Sequence, residues 1–239
     1  LLRRSDIKAI WCVRGGYGTA PVAQKLARIK PPKAPKLLIG MSDVSAIQLV
    51  LTQKWKWPAI HGPLLARLGS KARSKNERQV LDQTLFDRNF RLKISKGLKS
   101  FAKKSAVTGL LTGGNLTLLA TSLKSDWEVQ TFGKVLFIEE VCEPAYKIDR
   151  MLWQLKTAGK FDGIKALVFG EFDRCFDGKK QLWREVIKRH FKNAKYPVVM
   201  GLPLGHGDRQ IPIPFGLKVR VTSNSAPVFE VIEGLYRGR

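Results

Sequence analysis

Cysteine, histidine and acidic residues are all scarce in this 239-residue sequence. The three cysteines, Cys12, Cys142 and Cys175, form no CxxC pair and no metal-ligand spacing with His61, His190 or His206. That pattern excludes a disulfide framework and a zinc module, and no metal or cofactor is expected. Cys12 and Cys142 lie in apolar, strand-like runs and read as small core residues. No apolar run approaches the length of a membrane span, so none is expected. The opening Leu1-Leu2-Arg3-Arg4 has no apolar h-region, and residue 1 is not Met, so a targeting segment is not assessable from it. Acidic residues number 19 against 43 Lys and Arg, a formal charge of +24. Such a field attracts polyanions. The basic residues are nevertheless spread along the chain, and no nucleic-acid module accompanies them. Solvated faces are the plainer reading, and nucleic acid is not an expected partner.

What is present is an ordinary globular composition, 44% hydrophobic and 26% charged. Ile7 to Val13 reads as a buried strand running into Arg14-Gly15-Gly16-Tyr17-Gly18, and Ala20 to Ile29 as a helix with Val22, Leu26 and Ile29 on one face. Lys36 to Gly40 is a second buried strand. Ser42 follows at once, and Asp43 to Trp55 has helical periodicity. Strand–turn–helix, repeated, predicts parallel α/β architecture with function at the carboxyl ends of the strands. Residues 67–104 hold 12 basic and three acidic residues and read as a basic linker carrying a helix near Glu77 to Phe86. Beyond Val107, Gly109 to Asn115 leads into a helix, Val135 to Ile138 is a strand ending at Glu139-Glu140, and two antiparallel strands, 217–221 and 228–232, close the chain.

A buried strand entering Gly40-Met41-Ser42-Asp43 and then a helix has the geometry of a nucleophile elbow. The last glycine of G-x-S-x-G is absent, because Val44 stands there. Local pattern alone favours Ser42 as a helix cap. A serine nucleophile needs a base and an orienting acid. His190, on the apolar side of a charged helix, reads as structural, which leaves His61 and His206. Glu139 and Glu140 are the candidate acids, and an ion pair with one of the many cations is the plain reading of either.

Eight segments, in order, are similar to the LD-carboxypeptidase family of serine peptidases, which includes the microcin C immunity-type enzymes. They are Arg14-Gly15-Gly16-Tyr17-Gly18, Gly40-Met41-Ser42-Asp43-Val44-Ser45-Ala46, His61-Gly62-Pro63, Gly113-Gly114-Asn115-Leu116, Ile138-Glu139-Glu140-Val141-Cys142-Glu143, Ile148-Asp149-Arg150-Met151-Leu152, Gly201-Leu202-Pro203-Leu204-Gly205-His206 and Pro212-Ile213-Pro214-Phe215-Gly216. The family's acidic pair is usually Glu-Asp, and here it is Glu139-Glu140. Family members also carry a strand and helix ahead of the segment matching Ile7 to Val13.

The resemblance implies a Ser42–Glu139–His206 triad and an oxyanion hole from the backbone N–H groups of Asp43 and Gly16. Gly15, Asn115, Arg14 and Arg150 become substrate-binding candidates, with Arg209 a further reader of a terminal carboxylate. It implies an α/β fold in two parts. An N-terminal parallel-sheet domain with the elbow spans 1–66, a linker 67–106 and a mixed α/β domain 107–239, with the active site in the cleft between the domains. The implied reaction is release of terminal D-Ala from a murein tetrapeptide by a bacterial enzyme, cytoplasmic or periplasmic, that forms a homodimer. Two other readings stand beside it: a microcin C immunity-type peptidase acting on a peptidyl-nucleotide mimic, and a non-enzymatic, basic, polyanion-binding protein on the same scaffold. The former calls for an aromatic clamp near the cleft.

Overall fold

The computed structural model describes residues 1–69 and 75–235. Short apolar runs become parallel strands, and periodic stretches become the helices between them. β1 (Ala9–Trp11), α1 (Thr19–Ala27), β2 (Leu37–Gly40), a single 3-10 turn (Ser42–Val44), α2 (Ser45–Gln53) and β3 (Ala59–His61) form the first unit. β1, β2 and β3 pair in parallel, in that order. α1 turns a face inward that only partly matches the one its larger residues predict. Ala23 is fully buried, while Val22 and Ile29 are largely exposed. Leu26 packs on the core as expected, and Ala20 and Ala27 join Ala23 beside it, so small residues make up most of the inward stripe.

The stretch 67–106 holds more structure than a linker. After α3 (Leu65–Leu68) come α4 (Lys75–Phe86), β4 (Lys93–Ile94) and β5 (Lys99–Ala102). β4 and β5 take the two edges of the large sheet, to which β6 (Ser105–Asn115), β7 (Val135–Val141), β8 (Ala166–Asp173), β9 (Pro197–Met200), β11 (Lys218–Ser223) and β12 (Val228–Val231) also belong. The order among the described residues is β4-β12-β11-β6-β7-β8-β9-β5. β6 to β9 are mutually parallel. α5 (Leu116–Thr121), α6 (Ala145–Thr157) and α7 (Trp183–Phe191) connect them. β10 (Ile213–Phe215) leaves this half and pairs antiparallel with β3. One large apolar cluster includes Leu49 and Val50 of α2, Leu116 of α5 and Ile138 of β7, so the two halves share a core. Among the described residues no helix is long and apolar enough to cross a membrane.

Glycine sets the close approach at the centre of the large sheet. Gly113 has φ 139°, and a Cβ there would lie 1.9 Å from the Phe137 carbonyl oxygen. Gly113→Ala therefore forces β6 away from β7 and is expected to cost about 3 kcal/mol or more. Gly109→Ala, whose nearest neighbour would be the flexible Lys165 side chain at 3.3 Å, should cost under about 1 kcal/mol. Urea unfolding midpoints of the two variants check the contrast.

Candidate active site

The carboxyl ends of β1, β2 and β3 deliver Arg14, Ser42 and His61 to one side of the first sheet. Those of β6 and β7 deliver Asn115 and Glu139, which are paired in register. Parallel strands bring this about, because every crossover helix returns the chain to the same starting edge. Ser42 has φ 66°, a left-handed conformation that L-residues rarely adopt. The strain has the form of a nucleophile elbow, in which a sharp turn lifts the hydroxyl clear of the sheet. Gly15 makes room for it: a Cβ at that position would stand 2.8 Å from the Ser42 Cβ and 3.0 Å from its Oγ. The Asp43 carboxylate accepts from the Thr19 N–H at 2.9 Å, tying the elbow to the start of α1.

Ser42 Oγ lies 2.8 Å from His206 Nε2, and His206 Nδ1 lies 2.7 Å from Glu139 Oε2. Since a carboxylate only accepts, Nδ1 carries the proton, and Nε2 is left to accept from the serine hydroxyl. The structure thus brings together three residues from three different loops or strand ends. An imidazole backed by a carboxylate can take a hydroxyl proton as the oxygen attacks an acyl carbon. Burial on its own lowers the His206 pKa, but the charge and hydrogen bond of Glu139, with Glu140 and Asp173 behind it, hold it above the ordinary 6.5. Nε2 accepts only when His206 is neutral. The acid limb of kcat/KM is therefore expected above pH 6.5, read from a pH–rate profile of the free enzyme. The sign for stability is opposite. The folded state holds this proton more tightly than the unfolded chain. The stabilisation is full below the unfolded pKa and fades as pH rises through the folded one.

His61 stands behind the carboxylate. It is fully buried, with Phe137 and Phe215 against its ring. Gln48 donates to the Gly40 and Ile60 carbonyls, both at 2.8 Å, so its Oε1 faces His61 Nδ1 at 3.3 Å. That assigns the His61 proton to Nδ1 and leaves the Nε2 lone pair 3.9 Å from Glu139 Oε1. Burial pushes the His61 pKa down to about 4 in spite of that carboxylate. Glu140 points the other way, as strand alternation requires. It accepts from Asn115 Nδ2, the Thr117 N–H and hydroxyl, and the Val141 N–H, at 2.7–2.8 Å. Desolvation and neighbouring Glu139 raise its pKa to about 6.

A cleft of about 510 Å³ opens over Ser42, lined in part by Arg14, Gly15, Gly16, Arg67 and His206. The other substrate-binding candidates lie elsewhere. Asn115 is buried as the N-cap of α5, its Oδ1 accepting from the Leu118 N–H and its Nδ2 donating to Glu140. Arg150 lies over the Tyr146 ring on α6. Arg209 faces Glu171 at 4.0 Å. His190 bonds Asp149 at 2.6 Å, the structural role read for it from the sequence. Arg67 and Glu77 were missed, because both fall in a stretch whose charge reads as a solvated face. Arg67 donates to the His206 carbonyl at 3.1 Å and to that of Gly207. Glu77 accepts from the Gln210 N–H at 3.1 Å, and Gln210 in turn donates to the Gly205 carbonyl. Together they hold the His206 loop. Glycines flank His206 because Glu171 packs beneath: a Cβ at Gly207 would fall 2.1 Å from Glu171 Oε2.

Two mixed sheets with parallel strands at the site, a serine on a strand-to-helix turn and a histidine–carboxylate pair across the seam define a two-part α/β protein with the site at the seam. Comparison with known proteins gives the class a name. Residues 1–62 match the LD-carboxypeptidase N-terminal domain and residues 108–221 the LD-carboxypeptidase C-terminal domain. A putative carboxypeptidase of Rickettsia conorii is 32% identical over 230 residues, 95% of this chain and 71% of its own length. A probable murein peptide carboxypeptidase of Bacillus subtilis is 31% identical over 244 residues, 98% of this chain and 74% of its own. The crystal structure of muramoyltetrapeptide carboxypeptidase from Oxalobacter formigenes superposes with a TM-score of 0.81 at 28% identity, covering 98% of this chain and 81% of that one. The chain belongs to the LD-carboxypeptidase family, and through it to the peptidase hydrolases.

Proposed function

We propose that the protein is a serine carboxypeptidase that hydrolyses the L,D peptide bond of murein tetrapeptides and releases terminal D-Ala. The observation that carries this reading is the unbroken hydrogen-bonded chain from Ser42 through His206 to Glu139, on the floor of an open cleft. The names of the Bacillus and Oxalobacter relatives supply the substrate class.

In this mechanism His206 Nε2 takes the Ser42 proton as Oγ attacks the scissile carbonyl. The imidazolium then returns that proton to the departing D-Ala amine. An acyl-enzyme on Ser42 remains, and water attacks it by the same route in reverse. Glu139 keeps the proton on Nδ1 and stabilises the imidazolium. The backbone N–H of Asp43, at the start of a helical turn, and that of Gly16 bind the oxyanion. Arg14 is the best placed of the sequence candidates to read the substrate carboxylate, since it lines the cleft with Ser42. Guanidinium and carboxylate pair bidentately. Arg14→Ala should raise KM by about 10–30-fold with kcat little changed, which steady-state kinetics on the tetrapeptide will show. A tetrapeptide ending in a carboxamide should lose the same factor in the wild type and nothing further in Arg14→Ala.

The peptidyl-nucleotide reading calls for an aromatic surface on which a base can stack. Among the described residues lining the cleft, the aromatic ring is that of His206, already bonded to Ser42 and Glu139, and we take this to favour the murein peptide. Parallel assays on murein tetrapeptide and an aminoacyl sulfamoyl adenosine, with released D-Ala and nucleoside sulfamate measured separately, distinguish the two.

A further inference from the structure

Glu139 gives one oxygen to His206 and keeps the other bare. Oε2 lies 2.7 Å from His206 Nδ1, whereas Oε1, fully buried, meets no donor among the described residues. A buried carboxylate oxygen ordinarily collects N–H groups, as both oxygens of neighbouring Glu140 do. What faces Oε1 is His61 Nε2, 3.9 Å away and likewise without a partner among the described residues. That separation is too long for a direct hydrogen bond. It is also short for a bridging water, since two bonds of about 2.8 Å at a tetrahedral angle span about 4.6 Å.

The bare oxygen traces back to Gln48. An imidazole beside a carboxylate ordinarily turns an N–H toward it. Gln48 prevents this. Both hydrogens of its amide are committed, to the Gly40 and Ile60 carbonyls at 2.8 Å, and reversing the amide would set its oxygen against two other oxygens. Its Oε1 therefore faces His61 Nδ1, at 3.3 Å, and holds the ring proton there. Gln48, His61 and Glu139 are all buried, each at 0% exposure, and Phe137 and Phe215 pack against the ring. Burial keeps His61 neutral near neutral pH, so no second proton reaches Nε2.

A hydrogen bond donated by His61 would draw on the charge of Glu139 and leave less of it for His206. We propose that Gln48 is a positioning residue for the triad: acting through His61, it withholds a hydrogen bond from Glu139 Oε1 and so keeps the carboxylate's pull on the His206 imidazole undivided. The inference rests on the Ser42–His206–Glu139 reading above. Besides Glu139, the charges that reach His206 are Glu140 of β7 and Asp173 of β8, while Arg67 of α3 bonds its carbonyl. Those that reach His61 are Glu139 and His206. Substitutions at Gln48 and His61 leave all of these charged groups in the chain.

The test is nitrogen-15 NMR of the full chain labelled at histidine, which reads ring tautomers and titration without substrate. In the wild type His61 should carry its proton on Nδ1 from about pH 6 to about pH 9. Gln48→Met frees the tautomer, and His61→Gln sets an amide N–H where Nε2 stood. Each should lower the His206 pKa by about 1. His61→Phe keeps the ring packing but supplies no donor, and should move it by under about 0.3. On the tetrapeptide, the acid limb of Gln48→Met should follow the NMR value, with kcat about threefold lower at its plateau and KM unchanged. A role confined to tying β2 to β3 would lower stability and leave the His206 pKa in place. His61 protonated at Nε2 in the wild type, or a His206 pKa unmoved in the folded Gln48→Met and His61→Gln proteins, would overturn the proposal. Should one variant fail to fold, the other and the wild-type tautomer decide. Absence of D-Ala release with these NMR shifts intact would count against the substrate assignment and not against the role of Gln48.

Discussion

Ser42→Ala is expected to lower kcat on the murein tetrapeptide by about 10⁴- to 10⁶-fold while leaving the fold intact, since a nucleophile acts with its base as a unit. Stability separates this loss from damage to the protein. Ser42 occupies φ 66°, a conformation that costs an L-residue about 1–2 kcal/mol and that glycine adopts freely. Ser42→Gly and Ser42→Ala should therefore be equally inactive, with the glycine variant the more stable by about 1 kcal/mol in urea unfolding. A plain helix cap predicts a different pattern. Removing a cap costs stability of the same order but leaves activity within a small factor.

Glu139→Gln is the second large effect, a loss of about 10⁴-fold in kcat with KM nearly unchanged. The carboxamide can turn its NH₂ toward His206 Nδ1, which moves the ring proton to Nε2. There it faces Ser42 Oγ and blocks proton transfer. The pH profile supplies an independent readout. The charge on Glu139 is the largest influence raising the His206 pKa, so residual activity in the variant should have its acid limb at lower pH than the wild type. Glu140→Gln, one residue away, should move that limb in the same direction but by less, because the Glu140 charge ranks below both the charge and the hydrogen bond of Glu139.

The strand, turn and helix around Ser42 are legible because their signals are local, within about twenty positions, yet the local pattern alone favours a helix cap, and the family resemblance is what points to the elbow. Sequence reasoning could nominate Glu139 as a carboxylate at the end of an apolar run. What it could not supply was the pairing, since 67 positions separate Glu139 from His206 and 164 separate His206 from Ser42. Family resemblance closed that gap, and the structure brings the three side chains together.

The parts that stayed hidden have physical reasons. Arg67 and Glu77 lie in a charged stretch, yet each bonds backbone of the His206 loop more than 130 positions away. Nothing in a run of lysines and arginines marks the one that reaches inward. β10 holds a proline at its centre, Ile213-Pro214-Phe215. That reads as a turn but suits an edge strand, where the missing N–H faces outward. Gly109 to Asn115 reads only as a segment leading into a helix, whereas it belongs to the strand β6, whose glycines admit the Phe137 carbonyl and the Ser45 side chain. Asn115 matched the family motif and was read as a substrate contact. In the structure it caps α5 and anchors Glu140, a reminder that a motif residue can hold the site together without facing the cleft.

The most direct test of the central claim is incubation of the purified chain with murein tetrapeptide, wild type beside Ser42→Ala, with tripeptide and free D-Ala measured by mass spectrometry. The account predicts equal amounts of both products from the wild type and none from the variant. No tripeptide from folded wild-type protein, or D-Ala release that survives the loss of the Ser42 hydroxyl, would contradict it.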